Sequence, residues 1–140
     1  IRLNLPALTE ARRVLTNGSA LALASLGLAT FHELRTAFAG IDAHRHTLSF
    51  HAPEEFRHLT MAAGFVTVDV QMHTEIAHYA DFKSLLRAVK AIGAIQLGDG
   101  RRSSLLSRNA FQRAEQAAET LRTADGLPLT YDVVTLHARK

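Results

Sequence analysis

The chain has 140 residues, 47% of them apolar, with a formal net charge of +3 and no cysteine. That is room for one domain with a single core rather than a disordered segment, and it excludes disulfides, thiolate metal sites and cysteine nucleophiles. The mild positive excess suits an anionic partner without arguing for nucleic acid, and no apolar run approaches the ~18 residues of a membrane span.

The first helix is expected over "NLPALTEARRVLTNG": Asn4 can cap it, Pro6 sits in its first turn, and Leu8, Ala11 and Leu15 share a face. Asn17-Gly18 supplies a left-handed stop. "SALALASLG" follows, apolar on both faces and closed by Gly27, and reads as a buried strand of a parallel sheet, with a helix segment as the alternative. In "TFHELRTAFAG", Thr30 and Glu33 have capping-box spacing, and Leu34, Ala37 and Phe38 form a stripe that ends at Gly40. Next comes "DAHRHTLSFH", Asp42 to His51, with three histidines, an arginine and little helix or strand pattern. "PEEFRHLTMAAGF" is a short helix with a proline and two acids at its positive end and Gly64 as its stop.

"VTVDVQMH" alternates, with Val66, Val68, Val70 and Met72 on one face, as a half-buried strand near a sheet edge would. Asp81 can cap "FKSLLRAVKAIGA", whose apolar face is Phe82, Leu85, Leu86 and Val89. Lys83, Arg87 and Lys90, spaced four and three apart, form a basic stripe on another face. After the loop "GDGRRSS", Ser107 can cap "RNAFQRAEQAAETLR", with Phe111, Ala114, Ala118 and Leu121 inward, and "LPLTYDVVTLHA" is a last strand. Strands alternating with helices predict an α/β layered sheet, and three strands are thin enough to suggest half of something larger. The chain begins with isoleucine and nothing near it resembles a signal peptide, so a soluble, cytoplasmic fragment of a longer chain is expected.

Several side chains invite chemistry. His44 and His46 fall on one side of an extended loop, and His51, Glu54 and Glu55 could complete a metal shell; solvated loop side chains are the alternative, and no metal is expected. The basic stripe is either a solvated helix face or a docking surface. Tyr131 is a hydrogen-bonded strand tyrosine or a pocket residue. The serines have no Gly-x-Ser-x-Gly context, so no Ser-His-Asp set can be argued and no catalytic residue is assigned.

The run "LPALTEARRVLTNGSALALASLG" resembles the second half of a class I methyltransferase, the helix before the fifth strand and then that strand. "FHELRTAFAGIDAHRHTLSF", "LLRAVKAIGA" and "LPLTYDVVTLHARK" together resemble the malonyl-acyl-carrier-protein O-methyltransferases of biotin synthesis, in the same order and at similar spacing. In that family an "ELR…AF…VD" helix leads into a "R/HPHxNxF" loop, and a "LKGIGA" helix and a "PLTY.V….AR" strand follow. Here the middle of the loop reads "RHTL" in place of "PHxN". The cofactor turn of the class, acidic-Gly-x-Gly-x-Gly after the first strand, does not occur; "GDG" at Gly98–Gly100 follows a helix and lacks the third glycine.

By this resemblance the chain is one domain, 1–140, forming the C-terminal part of a Rossmann-like sheet without the cofactor-binding half: 1–29 a helix and central strand, 30–64 a lid and substrate region, 65–140 the C-terminal strands with inserted helices. It implies S-adenosylmethionine for the full-length enzyme and none for this chain alone, whose cofactor-binding residues are unknown. The implied substrate is the malonyl-acyl carrier protein, with a related small acid or a non-catalytic binding module as alternatives. Arg45 is the arginine best placed to orient the carboxylate, His46 a second donor, and Phe50 packs on the thioester arm or simply anchors the loop. Lys83, Arg87 and Lys90, with Arg101 and Arg102, would dock the acidic carrier. No nucleic acid or membrane partner is expected. The bare edge of the strand near Leu21–Ser25, with Leu21, Leu23 and Ala24 facing solvent, would take either the missing N-terminal half or a second copy in a homodimer.

Overall fold

The last strand lies at the middle of the sheet. A computed structural model describes residues 3–40, 50–92 and 107–140. Its elements are α1 (Leu5–Val14), β1 (Ala20–Leu26), α2 (His32–Phe38), α3 (Pro53–Ala62), β2 (Val66–Tyr79), α4 (Phe82–Ala91), α5 (Arg108–Glu119) and β3 (Leu127–Arg139). This is the expected α/β succession. The strands form one sheet in the order β1-β3-β2, so β3 is central and β2 lies at an edge, as its alternating pattern predicts. On β3 one face is buried at Leu127 and Leu129, and the other from Thr130 through Val134 and Leu136 to Ala138.

The strand β1 pairs antiparallel with β3, from Ala20↔Arg139 to Leu26↔Val133, which corrects the parallel expectation. An apolar run reports burial, not strand direction. Its solvent face also differs from expectation. Leu21 and Leu23 are packed on the core, while Ala20, Ala22 and Ala24 are exposed, because successive side chains point to opposite faces. The edge strand β2 has 14 residues and runs on through "TEIAHY". Val68 and Val70 reach the core, but Val66 and Met72 are exposed. Thr67, at φ 53°, takes a left-handed conformation that breaks the alternation beside Val66.

Two compact units divide the chain. The first comprises described residues 3–28, 50–75 and 132–140. Its core is Phe56, Phe65, Val134, Leu136 and Ala138, and α1 contacts α3. The second comprises described residues 29–40, 76–92 and 107–131. There α2 and α4 both pack on α5, and Phe82 lies between Phe38 and Phe111, with ring centroids 6.0 and 5.6 Å away.

Local chemistry sets most helix starts. Asn4 accepts from the Ala7 N–H at 2.9 Å, Asp81 from Ser84 at 2.7 Å and Ser107 from Ala110 at 3.1 Å, each satisfying an orphan donor. The Ser84 backbone bond, followed by the Ser84 hydroxyl, holds the Asp81 carboxyl below its usual range. Among the described residues no helix is long and apolar enough to cross a membrane.

The turn before β3 has the tightest steric demand. Gly126 sits at φ 124°, and a Cβ there would lie 2.6 Å from the backbone oxygen of Tyr79. Gly40 is also left-handed, at φ 75°, but has open space around it. Gly126→Ala is therefore expected to cost more than the ~1–3 kcal/mol of backbone strain alone, and Gly40→Ala only the strain. Urea unfolding midpoints of the two variants measure the difference.

Candidate functional site

In open α/β sheets ligands bind outside the carboxyl ends of strands. At that end of β1 the chain reaches Gly27, whose N–H donates to the Asp132 carbonyl at 2.8 Å. A Cβ on Gly27 would come within 3.1 Å of the Val134 Cγ2 and 3.3 Å of the Asp132 Cβ, so glycine allows this close approach to β3. On its other side Gly27 forms a parallel bridge with His51.

His51 stands just before α3. Its Nδ1 is 2.7 Å from Glu55 Oε2, while Glu55 Oε1 accepts from the Ala52 N–H at 3.3 Å. The His51 bond, then the Ala52 bond, keep the Glu55 carboxyl below its usual range. The His51 ring stands edge-on to Phe56 at 5.6 Å and its side chain is 24% exposed. In the same unit the buried Asp132 accepts from the Thr74 hydroxyl at 3.2 Å. His51 and Glu55, weighed from sequence as parts of a metal shell, are thus joined to each other. Among the described residues no group of three or more His, Asp or Glu is arranged to hold a metal.

The second unit contains a buried carboxylate. Glu33 is 6% exposed. Its Oε2 accepts from the Thr130 N–H at 3.0 Å, and its Oε1 accepts from the Thr130 hydroxyl with His32 Nε2 3.2 Å away. Capping-box spacing suggested a local role for Glu33. Instead α2 starts after Phe31, and Glu33 serves β3. Phe31 is a bulky residue at φ 60°, a conformation rarely adopted without support. Its N–H donates to the Thr130 carbonyl at 2.8 Å, its side chain is fully buried, and its ring meets Tyr131 edge-on at 5.2 Å. The Tyr131 hydroxyl lies 3.5 Å from that of Tyr79. Burial first, then Tyr79, pushes its pKa above the ordinary tyrosine value. Tyr131 is thus a hydrogen-bonded strand tyrosine. A cavity of about 10 Å³ beside Glu33, Leu34, Phe82 and Leu127 has room for about one water and is no acyl pocket.

Among the sequence-derived site residues, Lys83, Arg87 and Lys90 are all exposed on α4, away from the buried Phe82, Leu85 and Val89. Phe50 is half-buried and directly precedes His51. Arg45, His46, Arg101 and Arg102 lie outside the described residues, as do His44 and the last two residues of "FKSLLRAVKAIGA". Sequence reasoning missed the Glu33–Thr130 pair, whose partners are 97 residues apart. The i,i+4 spacing of His51 and Glu55 across a helix start was the signal for that pair.

No family model matches the chain. Over 134 residues, 96% of its length, it is 66% identical to the malonyl-[acyl-carrier protein] O-methyltransferase of Dechloromonas aromatica, of which it covers 51%. It is 33% identical over 94% of its length to the biotin biosynthesis bifunctional protein BioHC of Teredinibacter turnerae, of which it covers 23%. The chain therefore spans about half the length, or less, of these relatives, and the resemblance read from its motifs extends across it. The crystal structure of the YcgJ protein from Bacillus matches 97% of the chain with a TM-score of 0.50 at 13% identity, a likeness of fold.

Removing the Glu33 side chain leaves the buried Thr130 N–H without its acceptor. Glu33→Ala is expected to destabilise the protein by about 1–3 kcal/mol, and Thr130→Val, which removes the hydroxyl's contacts with Glu33 and His32 but keeps the amide bond, by about 1 kcal/mol. Denaturant titration checks the order of the two losses.

Proposed function

We propose that these residues are the C-terminal portion of an S-adenosylmethionine-dependent O-methyltransferase that esterifies the free carboxylate of malonyl-acyl carrier protein in biotin synthesis. The strongest support is the 66% identity that runs through 96% of the chain. The α/β fold is compatible with it.

Among the described residues no turn offers what the class uses for the cofactor, and by the resemblance β1 is the fifth strand of the class rather than the first. The class holds adenosylmethionine on several glycines in one turn after a strand. Here the turn after β1 has the single Gly27, whose missing Cβ makes room for Val134 and Asp132. No step is assigned to cofactor contacts from these residues, and the 140-residue chain alone is expected to be inactive.

The chemistry asks little of the protein beyond placement. A carboxylate with a pKa of roughly 4 is already ionised at neutral pH, so methyl transfer to it needs no general base. The protein must orient one oxygen and exclude water. In this reading residues 30–64 form the lid and substrate region, Arg45 and His46 bind the carboxylate, and Phe50 contacts the thioester arm. Lys83, Arg87, Lys90, Arg101 and Arg102 dock the acidic carrier. The free edge of β1 near Leu21–Ser25 receives the N-terminal half, or in its absence a second copy. The setting is cytoplasmic.

Methyl transfer from adenosylmethionine to malonyl-acyl carrier protein by the full-length enzyme tests the reading directly; no ester formed on that carrier would sink it. Arg45→Ala should reduce kcat/KM by the equivalent of about 1.5–3 kcal/mol, the worth of a charged hydrogen bond, with the cofactor KM unchanged. Wild-type kinetics would remove Arg45 from the site. Reversing Lys83, Arg87 and Lys90 together to glutamate should raise the carrier KM at low salt and have a smaller effect at high salt, because mobile ions screen exposed charges. An unaltered KM at low salt would leave the stripe a solvated face.

A further inference from the structure

The His51–Glu55 pair lies at the carboxyl end of β1, touches the core through the edge-on contact of His51 with Phe56, and is assigned no role by the motifs that carry the resemblance. We propose that His51 is a substrate-contacting residue whose Nε2 binds one oxygen of the acyl carboxylate, with Glu55 as the positioning residue that fixes the ring; this rests on the methyltransferase reading above.

Four observations carry it. The Gly27↔His51 bridge holds the His51 backbone directly beside the end of β1, where open α/β sheets take their ligands. The ring is oriented from two sides, by Glu55 Oε2 at 2.7 Å on Nδ1 and by the edge-on Phe56. Glu55 is in turn held by the Ala52 N–H. A carboxylate that fixes one imidazole nitrogen while the other meets the ligand is a recurrent functional arrangement. Finally, the side chain remains 24% exposed, and Nε2 has no hydrogen bond to another described residue.

The proton balance defines what this nitrogen can take. Nδ1–H is donated to Glu55, so Nε2 donates when the ring is imidazolium. The second carboxylate, arriving with the acyl group, supplies the negative charge that the added proton balances. An uncharged acyl group offers Nε2 no such partner. His51 should therefore discriminate malonyl from acetyl thioesters, which differ in that carboxylate.

The test uses the full-length enzyme with malonyl- and acetyl-acyl carrier protein. His51→Gln and His51→Phe, the latter keeping an aromatic ring against Phe56, are expected to raise the malonyl-carrier KM about 10-fold, the scale of one charge-assisted hydrogen bond. The adenosylmethionine KM, the melting temperature and the inhibition constant of acetyl-acyl carrier protein should stay at wild-type values. Glu55→Gln should have a smaller effect, and none when His51 is already replaced. Unchanged malonyl KM in both His51 variants overturns the inference, as does an equal loss for malonyl and acetyl carriers or a parallel loss of melting temperature. In those cases the wild-type enzyme still methylates malonyl carrier and the functional reading stands. A wild-type enzyme that does not methylate it removes that reading and this inference together.

Discussion

The contact on which the second unit depends is between one carboxylate and one threonine. A central strand must find partners for every backbone group it buries. The β1 ladder serves β3 up to Leu26↔Val133, and Gly27 extends it to the Asp132 carbonyl. The chain then turns away, and Thr130 would be left with a buried N–H and C=O. The first turn of α2 supplies both partners, Phe31 N–H for the carbonyl and the Glu33 carboxylate for the N–H. A helix thereby completes a ladder that a strand began. Burying a carboxylate is costly unless several donors meet it, and here the Thr130 amide, the Thr130 hydroxyl and the nearby His32 all do.

This clamp also accounts for the backbone of Phe31. The left-handed φ of a bulky residue costs energy that local interactions do not recover. The bond to Thr130, the burial of the ring and its edge-on contact with Tyr131 fix the conformation together. The hydrophobic and polar halves of unit two are thus coupled at one position.

Features settled by near neighbours were legible in the sequence. Asn4, Asp81 and Ser107 each cap the helix they precede, because donor and acceptor lie three residues apart. Gly18, Gly40 and Gly64 adopt the left-handed conformations their stops require. That β3 is a strand was legible in its β-branched and aromatic residues, but its place between β1 and β2 was not, since the central position was expected for β1. What depended on distant partners was not legible. Glu33 carries the spacing of a cap, and its true partner is visible only once β3 is in place. The direction of β1 is absent from its alanines and leucines. His51 and Glu55 were noticed as ligand types, but the bridge to Gly27 that gives His51 its location arises from the fold.

The register of β1 has a consequence for the order in which the molecule can form. Gly18 N–H donates to the Lys140 carbonyl, Lys140 N–H to the Ser19 carbonyl, and the Arg139 guanidinium bonds the Gly18 carbonyl across 121 residues of sequence. Closing so long a loop costs entropy before any ladder bond compensates for it. During synthesis β1 emerges more than a hundred residues ahead of its pairing strand. Through that interval its leucines have no β3 to shelter them, so the nascent chain is exposed to misassociation at this segment above others. Loss of a few residues from the end of β3 would strip β1 from its outer register inward, Ala20 first.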